Sequence, residues 1–277
     1  MSRSEGFREP VVAGYFYPAD REVLARRIET FTRGEPVLPE PGPRGLICPH
    51  AGYDYSGPTA GVAYREIRGR RFDAILVLAP SHYDRFHGAT IWPGAGYRTP
   101  LGEVSAPADI VEALSQLAVG IQPDLRGHRE EHAAEVQIPF LQVVAPGAPV
   151  LPIVLADDRR ETCERIGEAI AAATADRTVL LVASSDLYHG HSGKDCRETD
   201  ARTLGAIERN DPDDLAEGFA SDRYQACGRG PIQVLLHACR RAGAEKVRIL
   251  SRTNSDEVVG RPGSYVVGYA AVTVAAS

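Results

Sequence analysis

Four short stretches carry residues that can bind a metal or move a proton, and each lies beside an apolar run. In ICPHAGYDYSG (47–57), His50 closes a β-rich stub and is followed by Gly52, Tyr53, Tyr55 and Gly57. Ser81 and His82 follow FDAILVLAP (72–80), and Asp186 and His189 follow TVLLVASS (178–185). The fourth stretch, ACGRGPIQVLL (226–236), sets Cys227 ahead of a helical pattern. Imidazole and thiolate are ligands for transition metals, and imidazole beside a carboxylate does acid–base work near neutral pH. One histidine at a strand end reads as a backbone-bonded cap. Three behind three strands read as a constellation.

The surroundings sharpen each candidate. Pro231 suits the first position of a helix, which puts Cys227 just upstream of a helix N-terminus. The partial positive charge there, with Arg229 nearby, favours thiolate, the nucleophilic and metal-binding form. Cys48, Cys163, Cys196 and Cys239 have no comparable Gly/Pro context and read as buried, inert thiols. Gly52 and Gly57 let the backbone after His50 bend and approach a ligand. Tyr53 and Tyr55 either line a pocket or pack as its amphipathic wall.

REEHAAEVQIPFLQ (129–142) reads as a helix with Glu131, His132 and Glu135 on one face. The second histidine of HExxH is missing, so a zinc-protease reading fails. A place beside the pocket, orienting a ligand histidine or forming its wall, competes with a solvated helix start. His87, His128, His191 and His237 read as structural or surface residues.

The elements that position these groups alternate. Strands are expected at 44–49, 72–80, 148–156, 178–185, 246–250 and 264–274, and helices near 57–68, 107–118, 130–144, 161–174, 197–209, 212–219 and 231–242. Continuous apolar strands between amphipathic helices predict a single α/β domain over 1–277, with a largely parallel central sheet flanked by helices on both faces. Residues 88–104 are expected as a hairpin on the sheet edge. In such a sheet ligands bind beyond the carboxyl ends of the strands, where the three histidines fall.

Composition narrows the function. The 277 residues carry a net charge of −6, which argues against nucleic acid or an anionic membrane as partner. Lys194 and Lys246 are the only lysines and no phosphate-binding GxxxxGK loop occurs, so the chain does not read as a nucleotide hydrolase. The longest apolar stretch, YVVGYAAVTVAA (265–276), is too short to span a bilayer. No signal-like run and five scattered cysteines predict a cytoplasmic protein with free thiols.

Taken in order, REPVVAGYFYP, CPHAGYDYSG, APSH, RTPLGE, EHAAEVQIPFL, SSDLYH, ACGRGPI, TNSDE and YVVGYAA resemble the Memo family, whose prokaryotic members are called AmmeMemoRadiSam system protein B. The resemblance runs from about Arg8 to Ala271. It implies a fold like that of the LigB-type class III extradiol dioxygenases, which use non-haem Fe(II). It also implies a metal pocket of two histidines and a cysteine, which fall here on His50, His82 and Cys227, with Asp186 and His189 in the same vestibule. Iron is the metal implied first, with copper or zinc as alternatives. Radical SAM and AMMECR-type proteins are the implied partners, beside an unknown small molecule or peptide.

Extradiol dioxygenases use two histidines and a carboxylate, which leave Fe(II) open positions for catechol and O₂. A thiolate third ligand is softer and itself oxidisable. The expectation is therefore a metal-dependent oxidoreductase without catechol cleavage, with His189 as acid/base and Asp186 as its orienting partner. Two readings compete. One is a non-catalytic module that binds peptide in the same pocket. The other is a cysteine hydrolase of Cys227, His189 and Asp186, which leaves His50 and His82 without a role.

Overall fold

The computed structural model describes residues 6–38, 42–117 and 120–276. In chain order the elements begin with β1 (Phe7–Arg8), α1 (Arg21–Phe31), β2 (Pro43–Cys48), α2 (Gly57–Arg65), β3 (Ala74–Pro80), β4 (Ala89–Ile91), β5 (Gly96–Thr99), β6 (Gly102–Ser105) and α3 (Ala108–Gln116). They continue with β7 (Ile121–Pro123), a 3-10 turn (Glu135–Gln137), α4 (Ile138–Val144), β8 (Val150–Leu155), α5 (Arg160–Ala173), β9 (Val179–Ser184) and β10 (His189–Gly190). The chain ends with α6 (Gly193–Arg209), α7 (Pro212–Ala220), α8 (Arg229–Arg241), β11 (Ala244–Asn254), α9 (Ser255–Val259) and β12 (Val266–Ala276).

Four parallel strands in the order β2-β9-β3-β8 form the centre of a nine-stranded sheet. Their apolar runs are continuous because both faces are covered. Ile47, Leu76, Leu78, Ile153 and Leu181 face a core shared with α3, α5, α6, α7 and α8. Leu46, Ile75, Val77, Leu180 and Val182 face the opposite core, with α1, α2 and α4. The carboxyl ends of β2 and β9 are level, Cys48 opposite Ser184, so the segments leaving them start side by side.

The centre of the sheet is parallel, as expected, and the sheet becomes mixed toward its edges. β12 runs antiparallel to β2 and carries β10 and β11 on its other edge, while β4 runs antiparallel to β8. The expected edge hairpin at 88–104 divides. β4 joins the main sheet, whereas β5 and β6 pair with each other and with β1 in a separate three-stranded sheet. Just before β4, Gly88 (φ +76°) lets the chain pass close to Gly120 at the entry to β7, where a Cβ would strike the Gly120 backbone.

Helix α1, absent from the expected elements although Asp20 and the Leu24–Ile28–Phe31 spacing mark it, starts where the Asp20 side chain accepts the Val23 N–H at 2.9 Å. The expected end of α3 at 118 lies outside the described residues. No helix of the described residues is long and apolar enough to cross a membrane. The five cysteines are free thiols, all buried except the half-buried Cys227.

Candidate metal centre

His50 leaves β2 and is buried, at 2% exposure. Its backbone N–H donates to Asp186 Oδ1 at 2.8 Å, and its Nδ1 lies 2.9 Å from Ser184 Oγ. The Ser184 hydroxyl donates its one hydrogen to the Ala133 carbonyl at 2.6 Å, so toward His50 it accepts. Gln137 Nε2 donates to the same oxygen at 2.7 Å. This network fixes the tautomer: His50 carries its proton on Nδ1, and the Nε2 lone pair faces Cys227 Sγ at 3.1 Å.

His82 leaves β3 and is held by Glu131. The carboxylate accepts the His82 backbone N–H at 2.6 Å and Nδ1–H at 2.9 Å, again leaving Nε2 bare. Burial opposes ionisation of Glu131. Hydrogen bonds from His82, and from the backbone of His132 and Ala133, outweigh it and bring the carboxyl down to about 2. Burial likewise disfavours charge on His82, but Glu131 reverses that and raises its pKa.

His132 completes the cluster. One ring nitrogen from each of His50, His82 and His132 lies within 4.8 Å of one from each of the others. The His132 ring stacks on His82 at 4.9 Å and stands edge-on to His50 at 5.5 Å. Its Nδ1 is buried without a hydrogen-bond partner, although Glu131 Oε1 is 3.4 Å away. Burial, reinforced by His50, lowers the His132 pKa to about 4, and burial, reinforced by His82, lowers that of His50 to about 3. Both rings are therefore neutral near pH 7, the ligand form.

A model of the family described as Memo-like protein matches residues 8–273. The chain belongs to the Memo family. It is 33% identical over 271 residues to a MEMO1 family protein of Nitrosopumilus maritimus, covering 96% of this chain and 98% of that one. It is 37% identical over 280 residues to one of Aeropyrum pernix, covering 96% and 99%. A third relative, from Thermotoga maritima, is 34% identical over 274 residues, covering 95% and 97%. The crystal structure of an uncharacterized protein from Escherichia coli K12 superposes with a TM-score of 0.55 at 13% identity, covering 83% of this chain and 98% of that one. That likeness establishes a shared α/β fold.

Several expectations for this Memo-family chain change in three dimensions. Glu131, His132 and Glu135 do not share a helical face, because regular helix begins only at Ile138. The Glu131 carboxylate takes the N–H groups of His132 and Ala133, which holds that stretch in a local turn. Glu135 is buried away from the cluster, accepting from Arg8 at 2.6 Å and from Tyr17 Oη at 2.6 Å.

Cys227 precedes α8, but Pro231 is its third residue rather than its first. Burial, followed by the negative charge of Asp186, raises the thiol pKa instead of lowering it. Arg229 points elsewhere, to the Phe219 carbonyl at 3.2 Å and to Asp158. A metal ion would reverse this preference, since a coordinated thiol gives up its proton.

Asp186 does not orient His189: among the described hydrogen bonds it takes the His50 N–H, whereas His189 Nδ1 meets the Leu187 carbonyl at 3.0 Å. The neighbour of Cys227 is His50, not His189, so the cysteine-hydrolase triad is not assembled. Tyr53 packs in the core with its Oη donating to the Val136 carbonyl, and Tyr55 is exposed. Gly57 admits the Phe31 ring rather than a ligand, and Gly52 has no left-handed backbone. Ser81 closes a turn, Oγ donating to the Asp84 carbonyl at 2.7 Å.

Proposed function

We propose that this Memo-family chain holds one transition-metal ion among His50, His82 and His132, with Cys227 at its edge, and uses it for redox chemistry on a small molecule or peptide. What carries this reading is the trio of ring nitrogens within 4.8 Å, two of the rings kept neutral by burial and one nitrogen left without a partner. Glu131, buried beside the rings and kept ionised by its hydrogen bonds, supplies a negative charge toward balancing a dication, and the Asp186 carboxyl, whose pKa burial raises, lies next to His50. Imidazole with a nearby thiol suits iron, copper and zinc, and the resemblance to the family puts Fe(II) first among them. When bound, the ion would supply a Lewis acid with open positions and, for iron or copper, an electron donor.

The remaining steps belong to protein groups. Glu131 holds the His82 ring by its Nδ1–H, as carboxylate–histidine pairs do at metal sites. His189 is exposed, and its Nδ1–H is held by the Leu187 carbonyl, which leaves Nε2 free to exchange a proton with substrate. Asp186 fixes the backbone of His50 rather than the ring of His189.

A second reading, a peptide- or protein-binding module, is favoured by the exposed rings at the rim. Tyr83 is 59% exposed with its ring 6.3 Å from that of His132, and Tyr265 is 51% exposed with its ring 6.3 Å from that of His189. Radical SAM and AMMECR-type proteins are the proposed partners on family resemblance.

Metal content of anaerobically purified protein separates the readings. Stoichiometric iron or copper in the parent, lost in His82→Ala and His132→Ala and reduced in Cys227→Ala, supports the redox centre. A parent that stays metal-free after addition of Fe(II), copper and zinc, yet binds a partner in the presence of chelator, replaces it with the binding module.

A further inference from the structure

We propose that the N-terminal segment from Arg8 to Tyr17 is a strap that fixes His132 in the cluster, with Arg8 and Glu135 as its positioning residues. This rests on the reading of the three histidines as metal ligands and adds what holds the third one in place. His50 and His82 come directly off parallel strands, whereas His132 sits in a stretch with neither helix nor strand. Backbone groups in such a stretch must find partners elsewhere.

Arg8 supplies them. Its side chain is 3% exposed and donates to the carbonyls of His128 and Glu131 and to the Glu135 carboxylate. The planar guanidinium thus grips positions 128, 131 and 135, on both sides of His132, in a fork that no other side chain reproduces. Its far face lies over the Tyr97 ring at 4.7 Å, and Tyr97 Oη meets His128 Nδ1 at 2.6 Å.

Glu135, fully buried, returns the grip. Beyond Arg8 it accepts the N–H groups of Val11 at 2.9 Å and Val12 at 3.1 Å and the Tyr17 hydroxyl at 2.6 Å. All four donors come from the strap. Gly14, at φ +84°, then turns the chain so that its N–H meets the Tyr17 carbonyl at 2.7 Å. The turn delivers the Phe16 ring onto His132 at 4.8 Å, and the Phe16 carbonyl takes the Tyr53 N–H at 2.7 Å. One segment therefore touches the His132 ring and ties its loop to the loop that carries His50.

If the strap only covered the core, its loss would lower stability and leave the cluster geometry alone. Metal-free protein, observed through histidine ring ¹H–¹⁵N spectra, and Co(II)-loaded protein, observed through its visible bands and titrated affinity, distinguish the two. Three variants are compared: Arg8→Met, Phe16→Ala, which leaves the Arg8–Glu135 pair intact, and Ile170→Ala, a destabilised control in the opposite core.

The expected result is that both strap variants shift or broaden the His132 ring signals, alter the Co(II) bands and weaken Co(II) binding about tenfold. The control should keep parental signals and bands despite a lower melting temperature. Parental His132 signals in both strap variants would overturn the proposal. If the parent takes up no Co(II), the metal reading fails, and the strap stands or falls on the metal-free His132 signals alone.

Discussion

His50 and His82 stand at equivalent places, two residues beyond the carboxyl ends of the parallel strands that flank β9, yet their environments push them in opposite directions. His50 is buried, bonded to a neutral hydroxyl, and its pKa falls to about 3. His82 has a side chain 31% exposed, bonded to a carboxylate, and its pKa rises. Topology thus places the rings, and burial, countered at His82 by the Glu131 carboxylate, decides the charge of each. Both partners accept, so both rings turn a bare Nε2 outward. Burial disfavours charge on one ring and Glu131 favours it on the other, which predicts unequal responses to mutation and to pH.

The largest effect is expected from Glu131→Gln. The carboxylate accepts from His82 N, His82 Nδ1, His132 N and Ala133 N, and an amide in its place turns an N–H toward some of those donors. Two donors left unpaired in a buried site, with the charge partner of His82 gone, should lower stability by about 3 kcal/mol. Metal affinity should fall roughly ten- to a hundredfold, because the His82 ring loses its anchor. Urea unfolding and a metal titration check both. A variant with parental affinity would mean that the carboxylate does not hold the ring for a ligand.

The same comparison shows what was legible in the sequence. The apolar runs before His50, His82 and Asp186 are continuous because their strands are covered on both faces, so strand ends and the shared rim follow from pattern alone. His132 was placed beside the pocket, but as part of a helix. That error came from reading periodicity where the Glu131 carboxylate caps its own backbone, a contact that spacing does not encode. Arg8 and Glu135 are 127 residues apart, and nothing local marks them as a pair. Cys227 shows the converse: helix-terminus reasoning gave a low thiol pKa, and burial reversed it.

Acidification of the metal-free protein should sharpen the contrast. A histidine whose folded pKa is depressed takes up its proton only on unfolding, so stability is lost as pH falls below about 6.5 toward the folded value. His50 alone then withdraws about 2 kcal/mol by pH 5, and His132 nearly as much. His82 has the opposite sign: its raised pKa gives stability that is present below about 6.5 and lost as pH rises through the folded value. Glu131 stabilises above its unfolded pKa and fails only as pH drops toward about 2. Ring titrations by NMR should show His82 with a midpoint above 6.5 and His50 unchanged down to pH 5. A common midpoint for both would erase the distinction between them.

The smallest effect, and the finest probe of the tautomer argument, is expected from Ser184→Ala. The hydroxyl accepts from His50 Nδ1 and Gln137 Nε2 and donates to the Ala133 carbonyl, so its removal leaves a His50 Nδ1–H without its acceptor. The loss in stability should be about 1 kcal/mol, and the ring is then free to move its proton to Nε2. That tautomer presents an N–H to the cluster in place of a lone pair. Ring ¹⁵N shifts of His50 report the proton position directly: the parent should carry it on Nδ1, and the variant should show a mixture. His82, whose tautomer is set by Glu131, should not change in the same sample. If the His50 shifts are unaltered, the hydroxyl does not set its tautomer, and the shape of the cavity alone must do so.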